Sequence, residues 1–215
     1  MRRVASWWIA IAFVVLCDAR AGQGEVRGAT LSSSAFPVGT ISIDAKYRYV
    51  GRDEFILYGV ARCELHVWVD ATPERQVRRL YWVQFEQYLP DNNHTYNYSD
   101  QPWLVNVGGH EFWGGASLLD LEQEKVKWRA GSDYEHVLRL LEGHGYRLAA
   151  EVLELALFRL DPTARKELMV IYIEDVRAHG RQPAELVDRK TGNVRYDAAA
   201  QLRERGLSGL QVKMR

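Results

Sequence analysis

His66, His94, His110, His136, His144 and His179 are the side chains best suited to acid–base or metal chemistry near neutral pH. Their spacing contains no HExxH and no pair four residues apart, so no one helix offers two of them to a single ion. A shared site has to be assembled by the fold. The set that adjacent loops can gather is Asp91, His94, His110 and Glu111, able to act as metal ligands or as an acid/base couple. Its spacing matches no recognised zinc pattern, so neither a metal nor a cofactor is expected. Nucleophilic catalysis has less support. There is no G-x-S-x-G elbow, and Cys63 lies in the apolar run Gly59–Val69, where a thiol behaves as a small buried hydrophobe. Gly108-Gly109 and Gly114-Gly115 lack the lysine and the strand-to-helix setting of a phosphate loop, and Ser117 after the second pair is a commonplace turn serine. Glu122 and Glu124 read as a solvated face. Glu174-Asp175 closes an apolar run, where one carboxyl can enter a cleft and hold a raised pKa.

Aromatic rings beside polar loops are the other chemical signal. Arg79–Ser99 alternates so that Tyr81, Val83, Phe85 and Gln87 share one side of an extended chain and Trp82, Gln84, Glu86 and Tyr88 the other. Pro90–Asn93 supplies a turn, and His94–Tyr98 is expected to return as a second strand of a long hairpin. Rings that combine an apolar body with a polar tip stack on sugars, bind apolar ligands and anchor protein interfaces, and they also stabilise cross-strand packing. The expected binding face therefore comprises Trp82, Tyr88, Asp91, His94, Tyr96, His110, Glu111 and Trp113. Asn93-His94-Thr95 and Asn97-Tyr98-Ser99 match the glycosylation acceptor, which matters only in a eukaryotic secretory pathway.

The elements that must position these residues are short strands followed by helices. Ile41–Tyr49 alternates as a strand. Phe55–Val69 is a longer run bent at Gly59, and Trp103–Val107 is another strand, with His110–Trp113 as a loop between glycine pairs. Ser132-Asp133-Tyr134-Glu135 is a capping box that opens a helix ending at Gly143 or Gly145. Ala149–Leu160 fits a helix and, almost equally, an alternating strand; helix propensity favours the helix, and Asp161-Pro162 reads as the start of another. Leu168–Ile173 is a buried strand, Ala198–Arg205 an amphipathic helix, and Leu210–Met214 a final edge strand.

The 215 residues suffice for one domain or two small ones, and 47% hydrophobic with 26% charged residues is the composition of a folded globular chain. The balanced formal charge excludes a nucleic-acid binder acting through a bulk basic surface. Arg2-Arg3, the uncharged run Val4–Cys17 and Ala19-Arg20-Ala21 have the layout of a signal peptide cleaved before Gly22; the run is too short to span a bilayer, which takes about 20 residues. An uncleaved anchor is the rival reading, and it is the only membrane contact expected. Loss of residues 1–21 takes away Arg2, Arg3, Arg20, Asp18 and Cys17, leaving a net charge of −2 and Cys63 as the lone cysteine.

These observations predict an exported, periplasmic or secreted, protein. Residues 1–21 form the signal, 22–39 a flexible lead-in and 40–215 one α+β domain. Its antiparallel twisted sheet of about five to seven strands, or partly open barrel, packs against C-terminal helices. The function expected is binding of a small molecule or protein partner through the aromatic face. The alternatives are a hydrolase-like enzyme using His94, His110 and Glu111, and a structural protein whose C-terminal strand pairs with a partner.

Overall fold

A computed structural model describes residues 24–179, 182–188, 191 and 193–215, so the proposed signal lies outside the described residues. The chain forms two antiparallel sheets. The smaller has the order β1 (Glu25–Arg27), β2 (Thr30–Ser33), β3 (Gly39–Ile43) and β11 (Leu210–Met214). The larger runs β4 (Arg48–Leu57), β5 (Ala61–Ala71), β6 (Val77–Tyr88), β10 (Lys166–Asp175), β9 (Glu151–Leu160), β8 (His110–Asp120) and β7 (Trp103–Val107). Neither closes into a barrel, since each order ends on two different edge strands. Among the described residues there are also four α-helices: α1 (Leu121–Lys127), α2 (Asp133–Gly143), α3 (Pro183–Leu186) and α4 (Tyr196–Ser208).

Alternation divides the larger sheet into two buried faces. On one, Tyr81, Val83 and Phe85 of β6 share a cluster with Leu31, Ile41 and Val212 of the smaller sheet and with Ala198 and Leu202 of α4. On the other, Leu80 and Trp82 share a cluster with Leu65, Val67 and Ile171 and with Val137 and Leu141 of α2. The two sides of β6 are those read from the sequence, but the aromatic-polar side is not wet: Trp82, Gln84 and Glu86 are all buried. Ser132 caps α2 through Oγ, accepting from the Glu135 amide, and Glu135 accepts from the Gly131 amide. Two glycines are demanded by close approach. A Cβ at Gly206 would lie 2.8 Å from both Leu155 and Tyr172, a close approach that only glycine allows. Gly108 and Gly109 (φ 62° and 87°) form the two-residue turn between β7 and β8, and a Cβ on Gly108 would overlap the Val212 carbonyl of β11.

Several elements differ from the sequence reading. The segment 149–160 contains the strand β9, paired on both sides, and no helix. Burial of both its faces produces a near-continuous apolar run that mimics a helix. Asp161-Pro162 is a turn closed by Asp161 on the amides of Arg165 and Lys166. Ile41–Tyr49 is broken by an Asx turn, in which Asp44 accepts from the Lys46 amide. Phe55–Val69 is two strands joined at Tyr58-Gly59, both at positive φ. His110–Trp113 belongs to β8 rather than a loop, and residues 22–39 contain β1 and β2 with Leu31 fully buried. His94–Tyr98 is no strand, because β5 and β10 already occupy both sides of β6.

Candidate functional site

The Trp82 face of the larger sheet gathers most of the unusual chemistry. Cross-strand register sets Cys63 opposite Glu86 and Glu86 opposite Glu167, a row of three polar groups across β5, β6 and β10. Asp133, the first residue of α2, joins them from above. The Gln84 amide donates to Glu86 Oε2 (3.0 Å) and Asp133 Oδ1 (2.9 Å), while Gln84 Oε1 accepts from the Trp82 indole (3.0 Å). Cys63 Sγ donates to Glu86 Oε2 at 3.1 Å. Residues 94–102 cross this row and close it with two phenols: Tyr96 donates to Glu86 Oε1 at 2.7 Å, and Tyr98 to Glu167 Oε2.

No lysine, arginine or histidine forms an ion pair with these carboxyls among the described residues. Burial, with the charge of Glu86, pushes Glu167 up to about 8, although the Tyr98 bond pulls it back; the same two causes push Asp133 up to about 6 against the Gln84 bond. Burial and the neighbouring acids also push the Cys63 thiol far up, so it stays protonated and is a poor nucleophile. Ligand atoms of Cys63, Glu86 and Asp133 lie within 4.8 Å of one another. All three are already engaged in hydrogen bonds, so the cluster is self-contained.

A groove opens at the sheet edge where β7 stops, lined by residues of both faces. β7 pairs with β8 only from His110 to Gly114, whereas β8 continues to Asp120 along β9. The notch holds a cavity of about 610 Å³, with Trp103, Ser117, Glu154, Phe158, Tyr196 and Ala199 on its walls and Asp100 at its rim. That volume lies in the usual range for ligand sites, roughly 300–1,000 Å³. Phe158 stacks on Tyr98 (4.1 Å between ring centres), and Arg203 lies over the Trp103 ring at 5.4 Å. Tyr196 is 85% exposed. Burial holds the Glu154 carboxyl above its ordinary value, offset by a hydrogen bond from Tyr134. Residues 94–102 thus serve both regions, latching the carboxyl row and walling the groove.

The expected site residues fall into separate places. Tyr88 and Tyr96 stack at 4.3 Å, and the His94 ring lies 6.3 Å from Tyr88, so these three come together at the end of β6. Asp91 is exposed in the turn just before them. Trp82 is buried, edge-on to Tyr134 at 5.3 Å. His110, Glu111 and Trp113 lie on β8, with β10 and β9 between it and β6; Trp113 is paired across strands with Leu104 and Phe158. Glu174 and Asp175 point apart, each held by an arginine, Arg205 and Arg177 respectively. Glu154 and Phe158 escaped the sequence reading because a helix assignment, which also sets them on one face, hides the register that places them beside Ser117 and Trp113 of β8. Glu86 was visible as the polar partner of Gln84, but nothing local marks Glu167 as its neighbour. No family model, curated protein or solved structure matches this chain.

Proposed function

We propose that this is an exported binding domain, in which α2 and α4 pack on the larger sheet, and that it holds a ligand or partner in the groove beside β8. The observation that carries this reading is the 610 Å³ notch itself, walled by Trp103, Phe158 and Tyr196 and bearing Glu154. Rings supply contact area there at low entropic cost, and a carboxylate supplies orientation. Ser117 and Glu154 are neighbours in register, but among the described residues the hydrogen bond to Glu154 comes from Tyr134 and not from Ser117, so the reading is of binding rather than turnover. The leader-like residues 1–21 support export. Among the described residues, no helix is long and apolar enough to cross a membrane.

The test is a thermal-shift screen of the whole protein with monosaccharides, free amino acids, short peptides and fatty acids. It is repeated on Ser117→Phe, which fills the notch from an exposed position. A probe at 100 times its Kd adds about 2.7 kcal/mol, a rise of roughly 5–10 °C in Tm. That rise is expected in the parent and absent from Ser117→Phe. If no probe class raises Tm, or the variant keeps the shift, the groove is not the site. N-terminal sequencing of the secreted product is expected to begin at Gly22.

A further inference from the structure

We propose that the groove takes an extended peptide segment bearing lysine or arginine, which adds to the free edge of β8 as an additional strand. The inference rests on the groove reading above and names its occupant. Beyond Gly114, residues 115–120 of β8 pair with β9 alone among the described residues, and Gly115, Ala116 and Ser117 of this free edge line the notch. The segment before β7 does not cover this edge. It crosses above Gly115, where a Cβ would meet Gln101 Oε1 at 2.7 Å and Pro102 at 3.5 Å.

Of the other sheet edges, β1, β4 and β11 are blunted, and β7 offers only five residues. β1 has three residues. β4 carries a register shift between Tyr49 and Gly51 and the charges of Arg52, Asp53 and Glu54. The turn at Gly108 seats against the Val212 carbonyl of β11. Bulges, charges and coverage are the usual means of blunting an edge. Gly115-Ala116-Ser117-Leu118-Leu119 has none of them: it is uncharged, lacks proline and keeps a regular ladder with β9. Its small residues also admit a second backbone closely.

Alternation then sets the occupant's chemistry. A partner residue level with Ser117 points its side chain to the Trp82 face. There Ser117 is too small to block a long side chain from the next residue in register, Glu154. Asp100 adds a second carboxylate at the rim, and the Arg203 guanidinium lies over the Trp103 ring and is not among the residues that line the notch. Residues one step along the peptide face Val194 and Ala199, which suit small apolar groups. The segment that fits therefore alternates basic and small apolar residues over about five positions, some ~17 Å. Backbone hydrogen bonds hold such a strand, and alternate side chains select it.

The probe is acetyl-Val-Lys-Val-Lys-Val-amide, titrated calorimetrically into the whole protein. Two forms N-methylated on the odd or on the even residues keep every side chain but remove the donors from one edge. Binding is expected for the parent peptide. One N-methylated form should lose at least tenfold in affinity while the other stays within about twofold. The Val-Glu-Val-Glu-Val counterpart should not bind, and Glu154→Gln should weaken the lysine peptide about tenfold. Equal behaviour of the two N-methylated forms, or equal binding of the glutamate peptide, overturns strand addition by a basic segment. If the lysine peptide fails while another probe still raises Tm and Ser117→Phe abolishes that rise, the inference falls and the groove reading stands. If nothing binds in the notch at all, both fall.

Discussion

Across the same strands, buried acids are neutralised in two different ways. On the Tyr81 face, Glu174 is clasped by Arg205 with contacts of 2.9, 3.1 and 2.9 Å, and Arg79 approaches at 3.3 Å. Glu64 on that face accepts from the Gly24 amide at 2.8 Å and bonds His66 Nε2 at 2.9 Å. On the Trp82 face, Glu86, Glu167 and Glu154 are met by the phenols of Tyr96, Tyr98 and Tyr134, with no cation among the described residues. Guanidinium neutralises a carboxylate at every physiological pH, whereas a phenol only hydrogen-bonds it. The Tyr81 face is therefore built to hold together. The Trp82 face is left to take up protons.

The largest expected expression of that contrast is the dependence of stability on pH. In the folded protein Glu167 titrates at about 8 against an ordinary 4.5, and Asp133 at about 6 against 3.8. A raised folded-state pKa stabilises fully below the unfolded value, and that contribution is lost as pH climbs through the folded value. Glu167 alone should thus lower stability between about pH 5 and 8 by an amount on the order of 4 kcal/mol, with Asp133 adding to the fall between about pH 4 and 6, because each tenfold gain in proton affinity on folding is worth about 1.4 kcal/mol. Urea midpoints measured across that range should decline, and Glu167→Gln should flatten the decline. A midpoint that rises over the same range would break the comparison.

The next effect belongs to the other face. Arg205→Ala removes the clasp on Glu174 and should cost about 3 kcal/mol, because a buried carboxylate loses its main charge partner. Urea unfolding at fixed pH measures it, and a loss under about 1 kcal/mol would show that this face does not depend on the pair. Smaller again is Ser132→Ala, which removes the cap of the helix that delivers Asp133 and Tyr134 to the Trp82 face. It should cost about 1 kcal/mol by the same assay and leave the pH slope unchanged.

How much of this was legible in the chain follows from which residues are local to one another. The two sides of β6, the capping box at Ser132 and the strands Trp103–Val107 and Leu210–Met214 are periodic or capped in sequence, and their cues sit within a few residues. The acid row is not local. Cys63, Glu86, Asp133 and Glu167 come from three strands and a helix, and only the register of β5, β6 and β10 brings them together. The groove was hidden by β9. Its two apolar faces erase the alternation that would have put Glu154, Ala156 and Phe158 on one side. His94, His110 and Glu111 read as members of neighbouring loops, yet His110 and Glu111 belong to a strand two ladders away from β10.

The claim that the Trp82 face is neutralised by protons is tested most directly by carbon-13 NMR of the side-chain carboxyls. The protein is titrated from pH 4 to 9, with the Glu167 resonance assigned by its loss in Glu167→Gln. The account predicts a Glu167 midpoint at about 8, set by burial and the neighbouring charge of Glu86. A midpoint near the ordinary 4.5 would contradict it, because the carboxyl row would then carry its charges without proton or partner.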